Sequence, residues 1–174
     1  MDIPNLSEVK ELNRGYVKYF NEKLGRTPNM YAAMMHSENA LSAYYPFHIR
    51  KNSLSIRESE AITLVVSQQN NAMYCLSAHT MIGKLNGFTE QEIILLRKGE
   101  APFDRRLDVL VQLVKDIVEK KGAVETDKLN NFFHAGFTYE NLIDTLHVVG
   151  DNFITNFTGK VLKVPIDFPL TNEL

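Results

Sequence analysis

Helical spacing of apolar residues runs through nearly the whole chain, and that periodicity leaves almost no stretch for a sheet. The clearest case is Phe103 to Lys121, where Leu107, Leu110, Val111, Val114, Ile117 and Val118 share one face. Val9, Leu12, Val17 and Phe20 mark a rougher stripe from Glu8 to Leu24, and Gly25 stands where a C-terminal cap is expected. Residues 29–37 and 38–45 read as two more helical stretches, with Pro46 expected to end or kink the second. Ser55 and Glu58 have capping-box spacing and open a helix to about Gln69. Its middle, Ala61 to Val66, is β-branched and strand-like by propensity, but the cap and the length argue for a buried helix.

Asn70-Asn71 breaks the pattern, and the next helix runs from about Ala72 to Leu85. Gly87-Phe88-Thr89 and Gly136-Phe137-Thr138 then repeat one corner. In each, glycine ends a helix in the left-handed region, threonine caps the next, and phenylalanine takes the staple position. Thr126 is expected to cap a short helix, and Thr138 to open a long one reaching Leu162 with Gly150 and Gly159 inside it. Residues 164–169 carry two prolines and should lie extended over the surface, in a tail spanning 164–174. The expected fold is all-α, about eight or nine helices in a single domain over residues 1–174.

Composition excludes several classes. Among 174 residues, 44% are hydrophobic and 23% charged, a globular mix long enough to bury a core. The net charge of −2 supplies no basic excess for nucleic acid, and no apolar run approaches the ~18–20 residues that span a bilayer. Met1 to Asn5 lacks a basic region and no apolar segment follows, so the expected location is cytoplasmic. The Asn156-Phe157-Thr158 sequon is then a chance match. A lone cysteine, Cys75, rules out an internal disulfide framework.

The chemistry-bearing stretch is Glu60 to His79. Cys75 and His79 are four apart and project from one face of the predicted helix. A thiol in the first turn of a helix, beside an imidazole, is expected to be more acidic than a free thiol. Glu60, on the preceding helix, stands where it can orient His79. The competing reading is a small buried hydrophobe with a histidine nearby by chance. No spacing matches a known zinc pattern, and no metal or cofactor is expected. His36, His48, His134 and His147 have no partner at ligand or triad spacing and read as surface or hydrogen-bonded core histidines. Met30, Met34 and Met35, with Tyr31, Tyr44 and Tyr45, read as packing for a helix pair or a subunit interface, with an apolar pocket as the minor reading.

Arg57-Glu58-Ser59-Glu60-Ala61, Ser67-Gln68-Gln69-Asn70 and Tyr74-Cys75-Leu76-Ser77-Ala78-His79 resemble the core of the carboxymuconolactone decarboxylase superfamily, over residues 57–79. Within it, the alkylhydroperoxidase D-like, peroxidase-related branch is the best match. Asn156-Phe157-Thr158 and Pro165 to Pro169 are similar to the end of the family's last helix and its tail, so the resemblance spans about residues 25–169. It implies that Glu60, Cys75 and His79 match a proton relay, and that Tyr74 lies between the positions of a Cys-x-x-Cys pair. The first cysteine of that pair falls at Ala72, so the family's intramolecular disulfide is not expected here.

The resemblance therefore implies an antioxidant, peroxiredoxin-like homo-oligomer. It would reduce small organic hydroperoxides through Cys75, using an external thiol or dithiol. The alternatives are a decarboxylase-like acid–base enzyme on a small carboxylic substrate, using His79 and Glu60, and a non-enzymatic member of the fold.

Overall fold

The β-branched segment in the middle of the chain is a helix, and it is the axis of the molecule. A computed structural model describes residues 2–174. Helix α4 (Ile56–Gln69) starts with the expected capping box: Ser55 Oγ accepts the Glu58 N–H at 3.2 Å, and Glu58 Oε2 accepts the Ser55 N–H at 2.7 Å. Ala61 through Val66 are then buried on every side. Burying a Val, Leu or Ile side chain contributes roughly 1.5–3 kcal/mol, whereas poor helix propensity costs at most ~0.7 kcal/mol per residue. Burial therefore wins, and the segment is helical.

The other eight helices among the described residues are α1 (Glu11–Leu24), α2 (Asn29–Met34), α3 (Ala40–His48), α5 (Met73–Leu85), α6 (Glu90–Lys98), α7 (Arg105–Glu119), α8 (Thr126–His134) and α9 (Tyr139–Val161), with no strand among these residues. Helices α5, α6, α7 and α9 pack directly on α4. One core joins α4 and α6–α9 around Leu64, Leu96, Leu110, Val114 and Phe132. Truncating Leu110 to alanine there should cost about 2–5 kcal/mol. A second core joins α1–α3, the first turn of α5 and the tail around Phe20, Met30, Leu41 and Cys75. Both repeated corners form: Gly87 and Gly136 have φ of 84° and 86°, and Thr89 and Thr138 cap α6 and α9.

Three expectations need correction. Pro46 does not end its helix; α3 continues to His48, and the Ile49 N–H reaches the Tyr45 carbonyl at 3.1 Å. Pro46 removes one backbone donor, while Tyr45 and His48 stay anchored in a cluster of aromatic rings. Thr126 is the first residue of α8 rather than its cap; Asp116 of α7 accepts the Glu125 N–H instead, at 2.9 Å. Helix α1 begins three residues later than its apolar stripe, after a turn closed from Glu8 N to Asn5 O. Of the two readings for the Met and Tyr cluster, helix packing holds: Met30, Met34, Met35 and Tyr44 are buried in the second core. The exposed apolar side chains lie elsewhere: Tyr139, Ile143, Leu146, Ile154, Phe157 and Val161 recur at helical spacing along α9.

Past α9 the chain runs without helix, and one carboxylate fastens it. Asp167 accepts from Tyr74 Oη at 2.8 Å and from the Asn29 N–H at 3.0 Å, and it pairs with Arg26. Further on, the buried Arg97 side chain donates to Thr171 Oγ1 and to the Asn172 carbonyl. No helix among the described residues is long and apolar enough to cross a membrane.

Candidate functional site

Helix α5 begins at Met73, with Ala72 as its N-cap, so Cys75 lies in the first turn as expected. One turn later His79 faces the same way, and α4 runs alongside. His79 Nδ1 meets Glu60 Oε1 at 2.8 Å. Cys75, His79 and Tyr74 line one cavity of about 480 Å³, walled by Met30, Tyr31, Ile82 and Phe168. That volume lies within the usual range for small-molecule sites, and its walls are mainly apolar. Glu60 stands behind His79 and touches the cavity only through it. Ala72 is buried and is not part of the lining.

The electrostatics differ from the simple expectation. Cys75 is only 4% exposed, and burial pushes its thiol above the ordinary value. The Asn156 and Thr155 side chains pull it down, and the charge of Asp151 adds to the rise. The net direction is upward, so the acidic thiol expected from helix position is overturned by desolvation. No hydrogen bond joins Cys75 to His79 among the described residues. For His79, burial alone would lower the pKa, but the charge and hydrogen bond of Glu60 outweigh it and the net shift is upward. Burial likewise raises the hydroxyls of Tyr31, Tyr44 and Tyr74 well above the ordinary phenol value.

A second imidazole shares the cavity. His48, from the last turn of α3, sets Nδ1 at 2.9 Å from Asp151 Oδ2 on α9, and the Tyr44 hydroxyl lies 3.1 Å from the same nitrogen. The rings of Tyr31, Tyr44 and Tyr45 surround the imidazole. A broader, open depression of about 540 Å³ lies between Lys51 and Tyr139, but its Asp144 is already engaged by the Ser53 N–H and hydroxyl. No group of three or more His, Cys, Asp or Glu side chains able to hold a metal occurs among the described residues.

Residues 28–106 match the family model of the carboxymuconolactone decarboxylase family. No curated protein matches the chain in sequence. Among solved structures, the chain is similar to the alkylhydroperoxidase AhpD core of an uncharacterized peroxidase-related protein from Ralstonia eutropha JMP134. The identity is 17%, coverage is 96% of this chain and 91% of that one, and the TM-score is 0.86. The fold is AhpD-like. A peroxidase-related protein from Silicibacter sp. TM1040 is also similar, with 24% identity, coverage of 95% and 90%, and a TM-score of 0.83. So is an alanine variant of the debrominase Bmp8 in complex with 2,3,4-tribromopyrrole, with 13% identity, coverage of 90% and 86%, and a TM-score of 0.74.

Within this AhpD-like fold the structure brings together Glu60, Tyr74, Cys75 and His79, which the sequence singled out, and adds the pair of His48 and Asp151, which it did not. Their separation of 103 positions hides the pair from any spacing rule. One signal was available. Asn141, Thr145, Asp151, Asn152 and Asn156 are polar residues on the face of α9 that turns inward, where apolar side chains would be the default. Most of that face is explained by hydrogen bonds, such as Asn152 Nδ2 to Thr63 Oγ1 and Asn156 Nδ2 to Ser67 Oγ. Asp151 is the member that meets a titratable partner. The cavity in this AhpD-like fold thus holds one thiol and two imidazoles, each imidazole held through Nδ1 by a carboxylate.

Proposed function

We propose that the protein is a thiol-dependent peroxidase that reduces small organic hydroperoxides through Cys75. The observation that carries this reading is that the chain's single thiol and the Glu60–His79 pair open onto the same apolar cavity. The names of the two peroxidase-related structures agree with it.

His79 is the base: Glu60 fixes Nδ1, leaving Nε2 to take the Cys75 proton. The sulfur then attacks the distal oxygen of the hydroperoxide. An S–O bond forms, the O–O bond breaks, and the products are an alcohol and the sulfenic acid of Cys75. With no second cysteine in the chain, an external thiol condenses with the sulfenic acid, releasing water. A second thiol then displaces the mixed disulfide and restores Cys75. The neutral thiol favoured by burial makes the base necessary. Titration with one equivalent of tert-butyl hydroperoxide, followed by dimedone trapping and intact mass, tests the reading. A dimedone adduct on Cys75 and thiol-dependent turnover are expected; an inert thiol would reject it.

The second imidazole–carboxylate pair favours an alternative, decarboxylase-like reading in which His79 and His48 act as acid and base on a small carboxylic substrate. Carbon dioxide release from a panel of small lactones, retained in Cys75→Ser, would select that reading instead.

A further inference from the structure

We propose that His48, held by Asp151, is a second catalytic residue at this cavity and donates the proton to the leaving oxygen of the hydroperoxide. This rests on the peroxidase reading above. Breaking the O–O bond of an alkyl hydroperoxide expels an alkoxide, which is a poor leaving group unless it is protonated as it departs. In-line attack leaves the departing oxygen on the side away from sulfur, whereas His79 stands one turn along α5 from Cys75, on the side where it serves the thiol. The cavity contains another candidate. His48 lines it, and Asp151 Oδ2 occupies the neighbourhood of Nδ1 at 2.9 Å, while Nε2 has no protein partner among the described residues.

The imidazole is also immobilised. Tyr44 stacks on it with centroids 5.4 Å apart, and Tyr31 meets it edge-on at 6.2 Å. Those contacts fix the ring before any substrate arrives, which is the arrangement a proton donor needs. The charge of Asp151 is felt at both Cys75 and His79, so the two pairs share one electrostatic neighbourhood. Every proton and electron is accounted for. The thiol proton passes to His79 Nε2, and sulfur gains the distal hydroxyl as the O–O bond breaks. The departing oxygen keeps the bonding electrons and takes the proton from His48 Nε2. Cavity water then returns the proton from His79 to His48.

A structural role, in which the pair simply ties α3 to α9, predicts something different. The test is the single-turnover rate of Cys75 oxidation with two oxidants, tert-butyl hydroperoxide and peracetic acid. Peracetic acid expels acetate, which leaves without a proton. In His48→Gln the rate with tert-butyl hydroperoxide should fall by roughly a hundredfold, the lower range for loss of a general acid. The rate with peracetic acid should change by no more than about threefold. Asp151→Asn should shift the two rates in the same unequal way, but less. Equal loss with both oxidants would overturn the proposal in favour of a structural role, and no loss with either would overturn it outright.

Should these variants fail to fold, the unmodified protein suffices. Across a series of alkyl hydroperoxides and peracids, its rate should depend only weakly on the basicity of the leaving group. A steep dependence would sink the proposal while leaving the peroxidase reading intact. Absence of oxidation by any of them would instead remove the peroxidase reading, and the role of His48 with it.

Discussion

His79 Nδ1 and Glu60 Oε1 meet at 2.8 Å across two neighbouring helices, joining α5 to α4 through an imidazole that is 24% exposed and a carboxylate that is 8% exposed. The pair has a pH signature. Burial works to lower the His79 pKa, Glu60 overcomes it, and the folded value lies above the ordinary 6.5. A raised folded pKa means that the charged pair contributes stability fully below the unfolded value, and that the contribution is lost as pH rises through the folded one. Thermal melts from about pH 5.5 to about pH 9 should show that loss. Glu60→Gln should flatten it and cost about 1–3 kcal/mol at the acid end. An unchanged pH profile in the variant would contradict the assignment.

Cys75 should alkylate as a weakly acidic thiol. Burial is the main cause, so the midpoint of iodoacetamide reactivity should lie above the ordinary 9.0. Asp151→Asn removes a nearby negative charge and should lower that midpoint. A midpoint below that of a free thiol would show that the helix terminus and His79 outweigh desolvation.

Tyr74 connects the tail to the wall of the cavity. Its hydroxyl donates to Asp167 at 2.8 Å and accepts the Met30 N–H at 3.0 Å. Tyr74→Phe leaves the Met30 N–H and Asp167 Oδ1 unpaired, while Asp167 Oδ2 keeps Asn29 and Arg26, and should cost about 1–3 kcal/mol. It should also speed alkylation of Cys75, because the segment bearing Phe168 loosens over the cavity. Hydrogen exchange at residues 164–172 reads this directly, and unchanged protection would refute it.

The stripe on α9 should bury itself against a second copy of the chain. Ile143, Leu146, Ile154 and Phe157 are all exposed, and Gly150 sits at its centre with open space above it. Sedimentation should find a species of at least twice the chain mass of 19.9 kDa at micromolar concentration. Phe157→Arg should dissociate it without altering the helical signal, and a monomeric parent protein would rule the surface out.

A sulfur at position 72 tests the Cys-x-x-Cys spacing that the resemblance implies. Ala72 is 2% exposed and caps α5, three residues ahead of Cys75. Ala72→Cys should form a reversible disulfide and raise dithiol-dependent turnover, at a cost of about 1–3 kcal/mol if the added sulfur overpacks. A disulfide without turnover would point to the acid–base reading.

Local chemistry was legible in the sequence wherever cause and effect lie within a few residues. The Ser55 and Thr89 caps, the Gly87 and Gly136 corners and the buried face of α7 all read directly, and so did the Glu60–His79 approach, because two helices joined by a short turn must pack side by side. What failed depended on distant burial. The acidity of Cys75 was read from its helix position, but the walls that desolvate it come from α2, α3, α9 and the tail. The methionines of α2 left helix packing and a subunit interface both open for the same reason, since part of their cover comes more than a hundred residues later, at Val164 and Phe168.

The clasp at Asp167 also bears on how the molecule is made. Tyr74 and Asp167 are 93 positions apart, so a ribosome delivers the thiol-bearing helix long before the strap that closes over it. During that interval Cys75 has no roof, and oxidants too bulky for the finished cavity can reach it. Any size limit set by the finished cavity is therefore imposed late in synthesis, and Cys75 should oxidise faster in nascent chains stalled before residue 164 than in the full chain.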